Sequence, residues 1–292
     1  MAPMDWSAKR QQLARDGYCV VPDALPRGLL QATRDRAGAV VRSIPSEHRA
    51  RNRSQGSLVL IADHPGFADL IASPAESGIF TGLGFRDPRF SSGYVISKPP
   101  HSPALFWHQD WWAWDDPVSY QDTIAQVFLF YYLTDTRVEN GCLRVVPGSH
   151  RRRHPLHDQP TAHGEDLSRV AEPDNTVYQS IEGETPVEVA AGSVVIGDAR
   201  LLHGTYPNAS DGERTLITLW YHPDFAALPG PIRARIDYIF NRRGVDTDPD
   251  WADGLTPAKW PDAERAKVAP LLPAYDGGDA PQPWNRNPAG LT

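Results

Sequence analysis

In the run Phe106-Trp107-His108-Gln109-Asp110 an imidazole and a carboxylate stand one residue apart. On an extended backbone side chains alternate between faces, so His108 and Asp110 project from the same side and can reach one metal ion. Imidazole plus carboxylate suits iron better than a thiolate site would. A second histidine from a distant segment would complete a two-histidine, one-carboxylate facial triad, with positions left open for oxygen and a co-substrate. The His-x-Asp spacing alone is weak, because it recurs by chance. The chain has ten histidines. His203 is the candidate third ligand because it follows the apolar run Ser193 to Ile196 through Gly197-Asp198-Ala199-Arg200-Leu201-Leu202. Eleven residues later Arg214 opens another β-rich run. A guanidinium can hold a carboxylate through two parallel hydrogen bonds, as a dicarboxylic co-substrate requires.

Other residues receive plainer readings. Asp198 supports the turn before His203, and His150 closes a structural Pro-Gly-Ser-His turn. His101, His154, His157, His163 and His222 lack partner spacing suited to a ligand. Trp107, Trp111, Trp112 and Trp114 fall within eight residues, more than a short strand and its exit loop need for packing. Trp112 and Trp114 are therefore candidates for an apolar, flat substrate face. Gln126 is a candidate polar contact to co-substrate or substrate, with a satisfied core hydrogen bond as the equal alternative.

The elements that must position these groups are short. Residues 6–16 read as a helix ended by Gly17, residues 18–21 as a strand, and residues 26–43 as a helix by their apolar period. Residues 46–56 read as a polar loop and 58–74 as a turn followed by a short helix. Further on, runs at 93–98, 124–133, 142–148, 185–190, 192–197 and 215–222 are rich in β-branched and aromatic residues and separated by Pro, Gly, Asn and Asp. Many short strands so punctuated predict a sandwich or barrel. The expectation is one domain over 1–292: a helical part over 1–90, a β core over 91–222, and a mostly irregular wrap over 223–292 with helices near 231–241 and 262–269.

Composition narrows the function classes. Hydrophobic residues make up 40% and charged residues 22%, with a net charge of −7, so there is no basic footprint for nucleic acid. No apolar run has the length of about 18 residues that a membrane span needs, and the N-terminus lacks the apolar stretch of a signal peptide. Cys19 and Cys142 build neither a disulfide framework nor a zinc spacing. Reduced thiols predict a cytoplasmic location, with a small molecule rather than a nucleic acid or membrane as partner.

In order along the chain, His108-Gln109-Asp110, Glu139-Asn140-Gly141-Cys142-Leu143-Arg144-Val145-Val146-Pro147-Gly148-Ser149-His150, Gly197-Asp198 through His203, and Arg214 resemble the phytanoyl-CoA dioxygenase-like branch of the 2-oxoglutarate-dependent oxygenases. The resemblance is strongest over 93–222. It extends to Asp16-Gly17-Tyr18-Cys19-Val20-Val21-Pro22, which looks like the family's opening strand, and residues 223–292 fall outside it. It implies a mainly β protein with helical decoration and a double-stranded β-helix (jelly-roll, cupin-like) core. It further implies Fe(II) held by His108, Asp110 and His203, 2-oxoglutarate anchored by Arg214 with a hydroxyl from Thr205, and O2 as oxidant. Trp114 matches a position where relatives place a substrate-side aromatic. The implied reaction couples decarboxylation of 2-oxoglutarate to oxidation, above all hydroxylation, of an unactivated C–H bond in a small organic substrate such as a natural-product or lipid-like molecule. Halogenating relatives replace the carboxylate ligand by a small residue, and Asp110 argues against that outcome. Two other readings stand beside this one: a cupin-like metalloenzyme that does not use 2-oxoglutarate, and a metal-free jelly-roll binding protein.

Overall fold

In strand β5 (Val127–Tyr132) all six residues are buried. Val127, Leu129 and Tyr131 join one apolar cluster and Phe128, Phe130 and Tyr132 another. Both faces of this strand are covered, which is why its sequence is a continuous apolar run rather than an alternation.

The computed structural model describes residues 4–159, 165–241 and 260–292. The remaining strands are β1 (Tyr18–Val21), β2 (Val59–Leu60), β3 (Arg89–Lys98), β4 (Leu105–His108), β6 (Leu143–Val145), β7 (Thr185–Val187), β8 (Val194–Asp198), β9 (His203–Thr205) and β10 (Arg214–His222). They form a six-stranded sheet in the order β1-β8-β5-β10-β3-β2 and a four-stranded sheet in the order β4-β9-β6-β7, with antiparallel ladders throughout. Leu143, Val145 and Val187 of the smaller sheet pack with Phe128, Phe130, Val195 and Leu216 of the larger. Two antiparallel sheets closing on a shared core, with strands distant in sequence as neighbours, make the expected double-stranded β-helix.

Helices cover the other face of the large sheet. Leu13 of α1 (Trp6–Asp16), Val40 of α2 (Arg27–Arg42), Ile71 of α4 (Ala68–Glu76), Phe80 of α5 (Ile79–Leu83) and Val268 of α8 (Asp262–Val268) share one cluster with Val127, Ile196 and Ile217. Helix α1 starts where the Asp5 carboxylate accepts from Ala8 N at 3.0 Å and ends at Gly17, whose φ of 84° favours glycine. The first strand, β1, then pairs with β8 from Tyr18 opposite Gly197 to Val21 opposite Val194. Helix α7 (Gly230–Asn241) packs Ile232 and Ile236 against Trp111, Trp112 and Trp114.

Three segments differ from the sequence expectation. The polar stretch 46–56 contains helix α3 (Ser46–Arg51), tied down by tertiary contacts that composition does not show. His48 Nε2 accepts from Leu58 N at 3.0 Å, and Arg49 pairs with Glu213 at 2.9 Å. Helix α4 runs past Pro74, the last residue of the segment read as a turn and short helix; the Leu70 carbonyl that proline leaves without an N–H accepts from Ser73 Oγ at 2.9 Å instead. The five-residue α5, flanked by Gly78 and Gly84 in left-handed conformations, was not anticipated. Among the described residues no helix is long and apolar enough to cross a membrane. Both cysteines are free and buried.

Candidate active site

Strands β4 and β9 are neighbours in the smaller sheet, with His108 opposite His203. Gly204 permits their approach, since a Cβ there would lie 2.9 Å from the Leu105 carbonyl oxygen and 3.1 Å from that of Phe106. His108 Nδ1 lies 3.0 Å from the Phe106 carbonyl, and His203 Nδ1 lies 2.9 Å from the Leu201 carbonyl. A carbonyl only accepts, so each ring carries its proton on Nδ1 and turns the Nε2 lone pair inward. The two Nε2 atoms stand 3.7 Å from different oxygens of Asp110. One ligand atom from each of the three residues falls within 4.8 Å of the others, the one such group among the described residues that could hold a metal ion.

The surroundings fix these side chains. Asp110 Oδ2 accepts from Trp220 Nε1 at 2.8 Å. The backbone N–H groups of Asp110 and Trp111 both donate to the Ala199 carbonyl, at 2.8 and 2.9 Å, which ties the exit of β4 to the turn preceding β9. That turn is held by the buried pair of Asp198 and Arg200 at 2.6 Å, so Asp198 acts as the support expected of it. Burial pushes His108 down to about 3, with His203 adding to the fall and Asp110 opposing it. His108 is therefore a neutral imidazole near pH 7, the form a metal requires.

Beside this group lies a cavity of about 820 Å³. Arg214, Leu216, Thr218, Trp220 and His222, alternate residues of β10, all line it. Arg214 is buried, and its Nε and Nη1 have no hydrogen-bond partner. Burial lowers its pKa, and the opposing influences are Tyr132 and Cys142 rather than any carboxylate. The hydroxyls of Tyr132 and Thr205, also in the lining, are without partners. Other buried cations are already engaged: Lys98 Nζ donates to the Ser54 and Pro103 carbonyls, and Arg200 is paired with Asp198. A buried guanidinium without a counter-charge is strongly destabilising, so this donor set is complete only with an anion. The residues fit a metal ion together with a carboxylate-bearing co-substrate.

Residues 13–216 match the family model described as phytanoyl-CoA dioxygenase (PhyH). The chain belongs to that family. An uncharacterized protein of Mycobacterium tuberculosis is 28% identical over 76% of this chain and 75% of its own length. An ectoine dioxygenase of Stutzerimonas stutzeri is 25% identical over 74% of this chain and 76% of its own. Among solved structures, the non-haem α-ketoglutarate-dependent carbocyclase SnoK from nogalamycin biosynthesis superposes with a TM-score of 0.56 at 23% identity, covering 76% of this chain and 87% of the other. The protein is a non-haem dioxygenase dependent on Fe(II), 2-oxoglutarate and O2.

In this dioxygenase the structure brings His108, Asp110, His203, Arg214, Thr205, Gln126 and Trp112 to one cavity. Gln126 Oε1 is buried without a partner, so the alternative of a satisfied core hydrogen bond does not hold for that atom. Trp112 meets Trp284 edge-on at 5.0 Å. Trp114 departs from the expectation. It is 1% exposed, packs against Tyr120 and belongs to the cluster under α7 rather than to the cavity wall. Its backbone N–H, bonded to the Asn285 carbonyl at 3.0 Å, turns the chain inward after Trp112. His150 is buried beside the Ala14 carbonyl, away from the cavity, and His163 lies outside the described residues. Sequence reasoning missed Tyr132, Trp220 and His222, although counting in twos from Gln126 and Arg214 reaches all three. It also missed Arg235, which lies on the anticipated helix α7 but on a side that its period alone does not assign to the cavity, and Trp284 and Arg286, which come from an irregular stretch.

Proposed function

We propose that His108, Asp110 and His203 hold Fe(II) in this dioxygenase and that Arg214, with the hydroxyls of Thr205 and Tyr132, receives the distal carboxylate of 2-oxoglutarate. Bound there, Fe(II) with 2-oxoglutarate and O2 supplies the oxidant, and 2-oxoglutarate leaves as succinate and carbon dioxide. The chain's own part is positional. Trp220 orients the Asp110 carboxylate, and the two Nδ1–H donors fix the imidazoles. The apolar walls from Leu105, Phe130, Leu143 and Leu216 exclude water from the co-substrate end. The cavity admits a small organic substrate, and oxidation of one of its C–H bonds is the reaction we assign.

One observation carries this reading: a buried, unpaired arginine shares a cavity with three convergent ligand atoms. A metalloenzyme without 2-oxoglutarate has no use for that arginine, and a metal-free binding protein has none for the convergence. The test is iron content of anaerobically purified protein together with succinate formed on admitting O2 in the presence of 2-oxoglutarate. About one iron per chain and O2-dependent succinate are expected from the wild type, and loss of both from His108→Ala and Asp110→Ala, since a facial triad has no spare ligand. Undiminished iron and succinate in either variant would remove the assignment.

A further inference from the structure

The whole chain carries 36 acidic and 29 basic residues, but the cavity wall has the opposite balance. Its described lining contains four arginines, Arg51, Arg214, Arg235 and Arg286, and a single carboxylate, Asp110. On the reading given above, the occupants of the site account for part of this. Iron(II) and Arg214 together bring three positive charges, which Asp110 and the two carboxylates of 2-oxoglutarate offset. Three arginines then face the cavity with no counter-charge among the described lining residues.

Arg286 is the one closest to the chemistry. Its Nη1 donates to the backbone carbonyls of Gln109 and Asp110, both at 3.2 Å, so the guanidinium is pinned next to a metal ligand. Among the described residues its side-chain hydrogen bonds are these two, both from Nη1, and neither goes to a carboxylate. The one carboxylate that influences it is Asp110, whose charge the metal takes up. Arg235 lies on the same cavity through α7. Its Nε donates to the Gln282 carbonyl at 2.6 Å, and it too has no carboxylate partner among the described residues. Aromatic surface stands alongside: Trp284 lies 5.0 Å from Trp112, and the Arg286 guanidinium lies 5.4 Å from the Trp284 ring. All of Arg235, Trp284 and Arg286 lie beyond residue 216, where the family match ends.

Resting on the proposed function, we infer that the substrate is a small organic anion whose carboxylate or phosphate is held beside the metal by Arg286, with Arg235 as the second cation and Trp112 and Trp284 as an apolar platform. The anion offsets part of the positive charge that iron and 2-oxoglutarate leave on the wall. It also sets the distance from the charged group to the C–H bond that reaches the metal. This departs from a purely apolar, lipid-like substrate, since uncharged molecules would leave the two guanidinium groups desolvated and unpaired.

The experiment uses the full chain loaded with Fe(II) and saturating 2-oxoglutarate under anaerobic conditions, so that Arg214 is already occupied. Four probes with one shared ring system are titrated by calorimetry: 2-naphthoate, 2-naphthyl phosphate, the neutral 2-naphthamide and the cationic 2-naphthylmethylammonium. A charge-assisted hydrogen bond predicts that at least one anion binds roughly tenfold or more tightly than the amide, with the ammonium weakest. Tighter binding of the phosphate assigns a dianion, and tighter binding of the naphthoate a carboxylate. Arg286→Gln should abolish the preference for anions while the amide still binds, Arg286→Lys should retain part of it, and Arg235→Gln should weaken it. Wild-type melting shifts on adding 2-oxoglutarate confirm that each variant is folded and loaded. Equal binding of amide and anions by wild type overturns the inference, as does an undiminished anion preference in the Arg235→Gln, Arg286→Gln double variant. Failure of the wild type to take up iron and 2-oxoglutarate would instead refute the proposed function, so the two failures are told apart before any probe is added.

Discussion

Replacing Arg214 by methionine should stabilise the protein in the absence of 2-oxoglutarate and abolish its response to it. Arg214 is 2% exposed, its Nε and Nη1 are unpaired, and the pKa of nearby Lys98 is pushed down by burial first and by the Arg214 charge next. Each unsatisfied buried donor costs about 1–3 kcal/mol, and repulsion between the two cations adds to this. Methionine keeps a long apolar stem and removes the donors and the charge. After allowing for imperfect packing, a gain of about 2 kcal/mol is expected, equivalent to a melting point higher by roughly 4 °C. The wild type gains its stability differently. At 100 times the dissociation constant, 2-oxoglutarate adds about 2.7 kcal/mol through mass action, and Arg214→Met should show none of this. The assay is thermal melting of Zn(II)-substituted protein, which binds co-substrate without turnover, across a 2-oxoglutarate titration. A variant that melts well below wild type and still shifts with 2-oxoglutarate would refute the reasoning, because it would make the guanidinium a structural group and place the co-substrate elsewhere.

Other consequences follow from single contacts. Trp220→Phe removes the Nε1 hydrogen bond to Asp110 but keeps an aromatic ring, and a lost partner of a metal ligand predicts a roughly 10–100-fold weaker Fe(II) affinity by calorimetry; unchanged affinity would mean that Asp110 needs no such orientation. Burial holds His222 at about 4, below the ordinary value near 6.5. The unfolded chain therefore takes up this proton first as pH falls, so His222 adds nothing to the pH dependence above about 6.5 and costs stability progressively between 6.5 and 4. His222→Gln should flatten urea-unfolding stability against pH over that window, and an unchanged slope would place the titration elsewhere. Trp114→Ala should cost roughly 3–5 kcal/mol of stability as a buried tryptophan, with iron and 2-oxoglutarate binding unchanged in the folded protein; a melting point equal to wild type with altered substrate coupling would return Trp114 to the cavity wall.

What could be read from the sequence follows the reach of local rules. The glycine after α1 and the β-branched and aromatic runs of β5 and β10 act within a few residues, and the corresponding elements form where those runs predict. Helix α3 did not announce itself because its anchors lie outside its own polar run: Leu58 beyond the following turn, and Glu213 remote in sequence. The pairing of His108 with Asp110 was legible because a strand's two-residue period is local. Joining His203 to them required the order of several motifs, since nothing in the sequence states that β4 and β9 are neighbours. Trp114 shows that proximity to Asp110 along the chain is not proximity to the cavity: the exit loop turns it under α7, and of Trp112 and Trp114 it is Trp112 that lines the cavity. Arg286 was invisible for the opposite reason, lying 176 residues from the Asp110 carbonyl to which it donates.

Strand β10 explains how one cavity serves two requirements. Arg214 stands at its first residue and His222 at its last, on the same face. At about 3.4 Å per residue the strand separates its Arg214 end from its His222 end by more than 20 Å. Trp220, near the far end, holds Asp110 and so sets where the proposed metal lies along that length. The family match stops at residue 216, within this strand. The three convergent ligand residues and Arg214 fall before that point. The groups that shape the outer cavity, namely Trp220, His222, Arg235, Trp284 and Arg286, fall after it. A protein built this way can keep decarboxylation of 2-oxoglutarate under the control of its β core while the segments following β10 choose the molecule to be oxidised. Arg235 and Arg286, the two cations inferred to meet the substrate, belong to those later segments, whereas Arg51 lies within the family match. Charge selection at this mouth is therefore a property of this chain's own C-terminal part, separable from the metal chemistry that it shares with its family.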